Sequence, residues 1–148
     1  MNEELTQITR QVLGRGYVMS LGIVDENGPW VADVIYVFDE ELNVYWMSKT
    51  VRRHSLAIDG QYSRVAVTIT VTHSAHQLDE GVQMAGMAMQ VENPSEELIK
   101  QWMEKKQKMY VSEMGVVLPD HVWYKFIPDK IKLIHEEKFG YERQDVNV

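Results

Sequence analysis

Between Tyr45 and Ile58 the chain reads "YWMSKTVRRHSLAI", and Ser48, Lys49, Arg52, Arg53 and His54 within it all carry groups that bind anions. Elsewhere the protein is acidic, with 15 Lys and Arg against 22 Asp and Glu and a formal net charge of −7. A helix beginning near Thr50 would present unpaired N–H groups and the positive end of its dipole, which favours anions and disfavours cations in the first turn. Arg52, Arg53 and His54 placed there cost ~0.3–1 kcal/mol each when solvated, and a bound phosphate reverses that sign. Two guanidinium forks, helix N–H groups and the hydroxyls of Ser48 and Thr50 are the charge-assisted donors that a phosphate dianion takes. The competing reading is a basic helix surface held in water, which is what most charge runs are.

Composition limits what such a site can serve. A chain of 148 residues, 45% hydrophobic, suits one domain over residues 1–148 with a real core. Its acidic balance argues against nucleic acid or a membrane surface as partner, because both favour a broadly basic face. There is no cysteine. That excludes a disulfide framework, a thiolate metal site and a cysteine nucleophile, and it fits a reducing, cytoplasmic setting. The opening "MNEELTQITRQVLGRG" is acidic and interrupted by polar residues, unlike a signal peptide or a membrane span.

Several elements must position the basic stretch. Leu5, Ile8, Val12 and Leu13 recur at helical spacing ahead of Gly14 and Gly16, predicting an amphipathic lead-in helix. "YVMSLGIV" and "PWVADVIYVF" flank Asn27-Gly28 and predict a β-hairpin. In the second run Ala32, Val34, Tyr36 and Phe38 alternate with Val31, Asp33, Ile35 and Val37, so both faces are largely apolar, as in a barrel wall or a covered sheet. "VYWMS" is expected as a third strand continuing the meander, "RVAVTITV" as a fourth and "VQMAGMAMQV" as a fifth. Gly86 in the fifth marks a bulge or a close backbone approach. "NPSEELIKQWMEKKQKMY" predicts a helix over 95–110 with Leu98, Ile99, Trp102, Met103 and Met109 on one stripe. Its cap is Ser95, or Asn93 with Pro94 in the first turn. "VWYKFIPDKIKLIHEE" reads as strand, turn, strand. Six strands in mostly sequential hairpin order, with helices inserted, predict a mainly β antiparallel barrel rather than a parallel βαβ sheet.

Other residues offer less. His73 and His76 in "HSAH" lack a third ligand at a recognisable spacing, and Asp79 and Glu80 lie in an acidic loop. No G-x-S-x-G, H-E-x-x-H or G-x-x-x-x-G-K-[ST] occurs. Trp30, Trp46, Trp102 and Trp123 read as core or subunit-interface residues rather than a platform for bases.

Taken in order, "YWMSKTVRRHSLAI", "SRVAVTITV" and "GVQMAGMAMQVE" resemble the flavin-binding split barrel of the pyridoxamine 5′-phosphate oxidase family, and in particular its small bacterial members. The resemblance runs from about Tyr17 to Arg143. It implies a six-stranded split barrel that binds flavin mononucleotide (FMN) and forms a homodimer with cofactor sites at the interface. Ser48, beside Met47 and Lys49, stands where a hydroxyl residue contacts the flavin, and Arg53 where an arginine grips its phosphate. His54 replaces the family's usual lysine, so its charge would assist, and Arg52 occupies a small hydroxyl position from which it could add to the grip. Main-chain groups near Val34 and Ile35 would meet the polar edge of the ring, and Gln83 would come from the other subunit. The carboxyl-terminal "FGYER" falls where the oxidase has substrate-binding residues, but the oxidase's Arg-Leu-His-Asp-Arg signature is missing. Two functions follow: a flavin-dependent oxidoreductase acting on a small molecule, or a non-catalytic binding protein holding flavin or another anion.

Overall fold

The chain's computed structural model describes residues 2–58, 63–106, 118 and 120–148. Helix α1, Glu3–Arg15, starts where Asn2 accepts a hydrogen bond from the Leu5 amide, and buries the predicted stripe of Leu5, Ile8, Val12 and Leu13. Strands β1, Val18–Asp25, and β2, Gly28–Ile35, form the expected hairpin. Gly28 has a φ of +100°, a conformation that a side chain would strain, and the Asp25 carboxylate accepts from the Asn27 amide to tighten the turn.

The apolar run after the hairpin does not remain one strand. It breaks at buried Tyr36, whose hydroxyl donates to the Leu13 carbonyl at 2.6 Å. Beyond it, β3, Val37–Phe38, pairs with β4, Val44–Lys49, while among the described residues β2 pairs only with β1. The third strand therefore does not continue the meander onto β2. Its second neighbour is β7, His121–His135. The sheet also contains β5, Ser63–Thr70, and β6, Glu80–Val91, and its order is β2-β1-β5-β6-β7-β4-β3, with β8, Gln144–Val146, added to β7. Every pairing among the described residues is antiparallel. Of the eight strands among the described residues, β3 and β8 are only two and three residues long, and the six longer ones form the barrel wall.

The expected strand-turn-strand at the carboxyl end is instead a single 15-residue strand. Pro128 is tolerated there because the register shifts between Ala85 and Gly86, leaving Asp129 as the extra residue of a bulge. Gly86 is needed at that point, since a Cβ on it would lie 2.1 Å from the Ile127 carbonyl oxygen. The sheet curls, so that β2 and β4, far apart in strand order, approach without sharing a ladder among the described residues. We call this gap the seam.

Two cores follow from strand alternation. The inside of the curl holds Met19, Leu21, Trp46, Val67, Phe126 and Leu133, closed over by the apolar stripe of α1. Outside the curl, Tyr45, Met47 and Trp123 pack under α3, Glu96–Lys105. Ser95 caps α3, its hydroxyl accepting from the Leu98 amide. Leu98, Trp102 and Met103 of the predicted stripe are buried, while Met109 and the rest of the predicted helix lie outside the described residues. Among the described residues no helix is long and apolar enough to cross a membrane.

Candidate functional site

The basic stretch leaves the barrel at the end of β4. Helix α2 is shorter and later than expected: it spans only Arg53–Leu56, with Arg52 at its cap position, so four residues carry little of the dipole that the sequence suggested. The five anion-binding side chains do not converge. Strand alternation sends Met47 outward and Ser48 inward, and the Ser48 hydroxyl lies 2.8 Å from Nε2 of buried His54. Burial, with the charge of Arg52 as a lesser cause, holds the His54 imidazole below its ordinary range. An imidazole held there gives up its proton more readily, which weakens the assistance that its charge was expected to lend a phosphate.

Arg53 turns toward the hairpin. Its Nε and Nη2 donate to the two carboxylate oxygens of Asp25 at 2.8 and 2.9 Å, Nη2 also reaches the Gly28 carbonyl at 3.3 Å, and the guanidinium stacks over Trp30. Each partner stabilises the other's charge, lowering the Asp25 carboxyl and raising the guanidinium. This bidentate pair, which sequence reasoning missed, joins residues 28 positions apart, and no local pattern signals it. Lys49 is half-buried and Arg52 exposed, and neither forms an ion pair among the described residues.

Val34, Ile35 and Met47 do come together. They line a groove of about 440 Å³ along the seam, with Trp102 and Lys106 contributed by α3 and its cap, and His121 by β7. That volume lies within the range of ~300–1,000 Å³ common for small-molecule sites. The second edge of β2 has no strand partner among the described residues, so main-chain groups around Val34 and Ile35 are available to a ligand. Register places Lys49 opposite His121, which brings the basic end of β4 beside the groove. Trp102 was legible as a core residue, whereas His121 reaches the groove only through the long-range pairing of β4 with β7.

Gln83 is elsewhere. It is exposed on β6, accepts from Nε of Arg143 at 3.2 Å, and lines a separate hollow of about 330 Å³ with Thr68, Thr70 and Tyr141. Glu80 is structural: Arg15 donates to its carboxylate at 2.8 Å, and His135 Nε2 lies 2.9 Å from the same oxygen. His73 and His76 are exposed, and among the described residues no group of three or more His, Asp or Glu is placed to hold a metal ion.

No family model and no curated protein matches the sequence. Solved structures do match the fold. A candidate pyridoxamine 5′-phosphate oxidase from Listeria innocua superposes with a TM-score of 0.63 at 15% identity, over 88% of this chain and 98% of that one. HutZ, the heme storage protein from Vibrio cholerae, gives 0.66 at 18% identity over 86% and 92%. A heme binding protein from Mycobacterium smegmatis gives 0.70 at 12% identity, over 99% of this chain but only 59% of its own length. At these identities the likeness is one of architecture, and it agrees with the mainly β, curled antiparallel sheet. The chain has the split-barrel fold of the pyridoxamine 5′-phosphate oxidase-like proteins.

Proposed function

We propose that the protein binds FMN in the seam groove. The observation that carries this reading is the meeting of Val34, Ile35 and Met47 across the seam, beside an unpaired strand edge and next to the basic end of β4. The residues fit such a ligand in chemistry. Apolar side chains and Trp102 suit a flat ring system, main-chain donors and acceptors of β2 suit its polar edge, and Lys49 and Arg52 supply charge for a phosphate. Arg53 contributes by holding the hairpin that carries β2, because its fork is already occupied by Asp25. When bound, a flavin supplies redox chemistry of its own, and the protein's part is to hold and orient it for a small-molecule substrate.

Dimerisation belongs to the same reading. Trp30 and Val31 are 48% and 62% exposed, beside a shallow apolar hollow of about 750 Å³ on the outer sheet face. A second copy covering that face would remove an apolar patch from water, and Gln83 would then reach the site of its neighbour. Flavin fluorescence should be quenched in a stoichiometric titration, and scattering should give twice the 17.2 kDa chain mass. Unquenched flavin defeats the assignment. Anaerobic reduction of the bound flavin by nicotinamide nucleotides then separates an oxidoreductase from a passive carrier.

One observation favours a second ligand. His121 brings an imidazole to the wall of a largely apolar groove, which is the donor a heme iron takes, and two structural neighbours are named for heme. A Soret band on adding hemin, lost in His121→Ala while flavin leaves the protein unchanged, would replace the flavin reading with this one.

A further inference from the structure

The wall that β2 gives to the seam groove carries a carboxylate that the proposed flavin contacts do not use. Asp33 immediately precedes Val34 and Ile35 and lines the groove with them, and among the described lining residues no other Asp or Glu occurs. Strand alternation puts Asp33 on the same face of β2 as Ile35, which packs against the outer cluster that holds Met47. The carboxylate therefore stands at the rim of the apolar surface offered to a flat ring. It is in direct register with Ser20 of β1, whose hydroxyl donates to Oδ1 at 2.6 Å. That bond fixes one oxygen and leaves Oδ2 with no hydrogen-bond partner among the described residues. No cation pairs with Asp33 among them either.

A carboxylate only accepts hydrogen bonds. Asp33 is exposed, so water satisfies Oδ2 while the groove is open. A ring laid against β2 displaces that water, and the oxygen keeps a partner only if the ring presents an N–H to it. An edge without one leaves a charged oxygen desolvated, which costs more than an ordinary contact returns. The polar edge of a flavin is an imide, with one N–H between two carbonyls. Its carbonyls suit donors such as the N–H groups of β2 and the Lys106 amine, whereas its single donor needs an acceptor such as Asp33.

We infer that Asp33 reads the imide N–H of the ring, so that the groove selects ligands carrying such a donor and rejects those in which it is blocked. This rests on the groove being the flavin site. Asp33 is then the residue that sets specificity for the ring, separately from the charges that serve the phosphate.

The test compares riboflavin with 3-methylriboflavin, in which a methyl group replaces the imide hydrogen, by fluorescence quenching in the unaltered protein and in Asp33→Ala. The unaltered protein should prefer riboflavin by about tenfold or more, the size of a hydrogen bond to a charged group. Asp33→Ala should lose that preference by weakening riboflavin, with 3-methylriboflavin held within about threefold of its former affinity. FMN should weaken in step with riboflavin, since the carboxylate acts on the ring. If the alanine variant fails to fold, Asp33→Val, with a better strand former, takes its place. Riboflavin affinity unchanged by the substitution, equal weakening of both ring forms, or FMN gaining on riboflavin would overturn the inference and leave the groove assignment standing. The first denies the hydrogen bond, the second makes Asp33 structural, and the third puts the phosphate beside it. Absence of flavin quenching in the unaltered protein overturns the groove assignment, and the inference with it.

Discussion

The Ser48 hydroxyl and Nε2 of His54 lie 2.8 Å apart on the inner side of the barrel wall, and both residues are buried. The pair ties the end of β4 to α2 across the turn that carries Lys49 and Arg52, so its integrity sets the shape of the basic corner. Ser48→Ala would leave an imidazole nitrogen buried without a partner, at a cost of ~1–3 kcal/mol. A denaturation midpoint unchanged in that variant would show that the contact contributes nothing.

Acid should loosen the same corner. The folded state holds His54 below its ordinary 6.5, whereas the unfolded chain takes up the proton near that value. The unfolded state therefore binds more protons in the window just below 6.5, and the stability present above it is lost as pH falls toward the folded value. Urea midpoints should drop from neutral to mildly acidic pH, and His54→Gln, which keeps a partner for Ser48, should flatten the drop. Parallel curves for the two proteins would place the acid sensitivity in other groups.

Arg53 and Arg52, adjacent in sequence, should behave differently toward ligands. Replacing Arg53 with Ala releases the hairpin from α2, so FMN and riboflavin should weaken together, along with thermal stability. Arg52→Ala or Lys49→Ala should weaken FMN by ~1.5 kcal/mol, as for a hydrogen bond to a charged group, and leave riboflavin alone. A selective loss of FMN in Arg53→Ala would assign the phosphate to Arg53 and mean that Asp25 yields to it.

Gly86→Ala tests the bulge. The added methyl would sit 2.1 Å from a backbone oxygen and 2.8 Å from the Pro128 Cα, neither of which can swing aside. The expected loss is at least ~1–3 kcal/mol in chemical denaturation, as for overpacked interiors. Wild-type stability in this variant would mean that β6 and β7 do not approach at Gly86 as described.

Alkali should destabilise the fold for a different reason. Burial raises the phenols of Tyr36 and Tyr45 well above 10, with the hydrogen bond to Asp39 adding to the effect on Tyr45. The unfolded chain releases these protons near 10 and the folded chain does not, so stability is intact below pH 10 and falls as pH rises above it. Spectrophotometric titration should show these two phenols ionising only with unfolding, and Tyr45→Phe should make the fall in stability shallower. Free titration of every tyrosine near 10 would contradict their burial.

What the sequence determined by itself is what local periodicity and turn chemistry can encode. The α1 stripe, the hairpin at Asn27-Gly28, the Ser95 cap, the strand alternation of β5 and the special place of Gly86 all follow from neighbours a few residues apart. The ordered motifs also carried the likeness to the split barrel. Tertiary structure alone decided the partners of the long strands and the fate of each candidate side chain. β4 pairs with β7 rather than β2 because Tyr36 takes the chain out of the ladder to meet Leu13. Pro128 lies inside a strand because a bulge absorbs it. Adjacent residues of the basic stretch separate because strand alternation turns Ser48 inward to His54, while Asp25, brought close by the hairpin, captures the fork of Arg53. Charge and spacing marked where anion-binding groups gather along the chain, but burial and long-range partners decided which of them face a ligand.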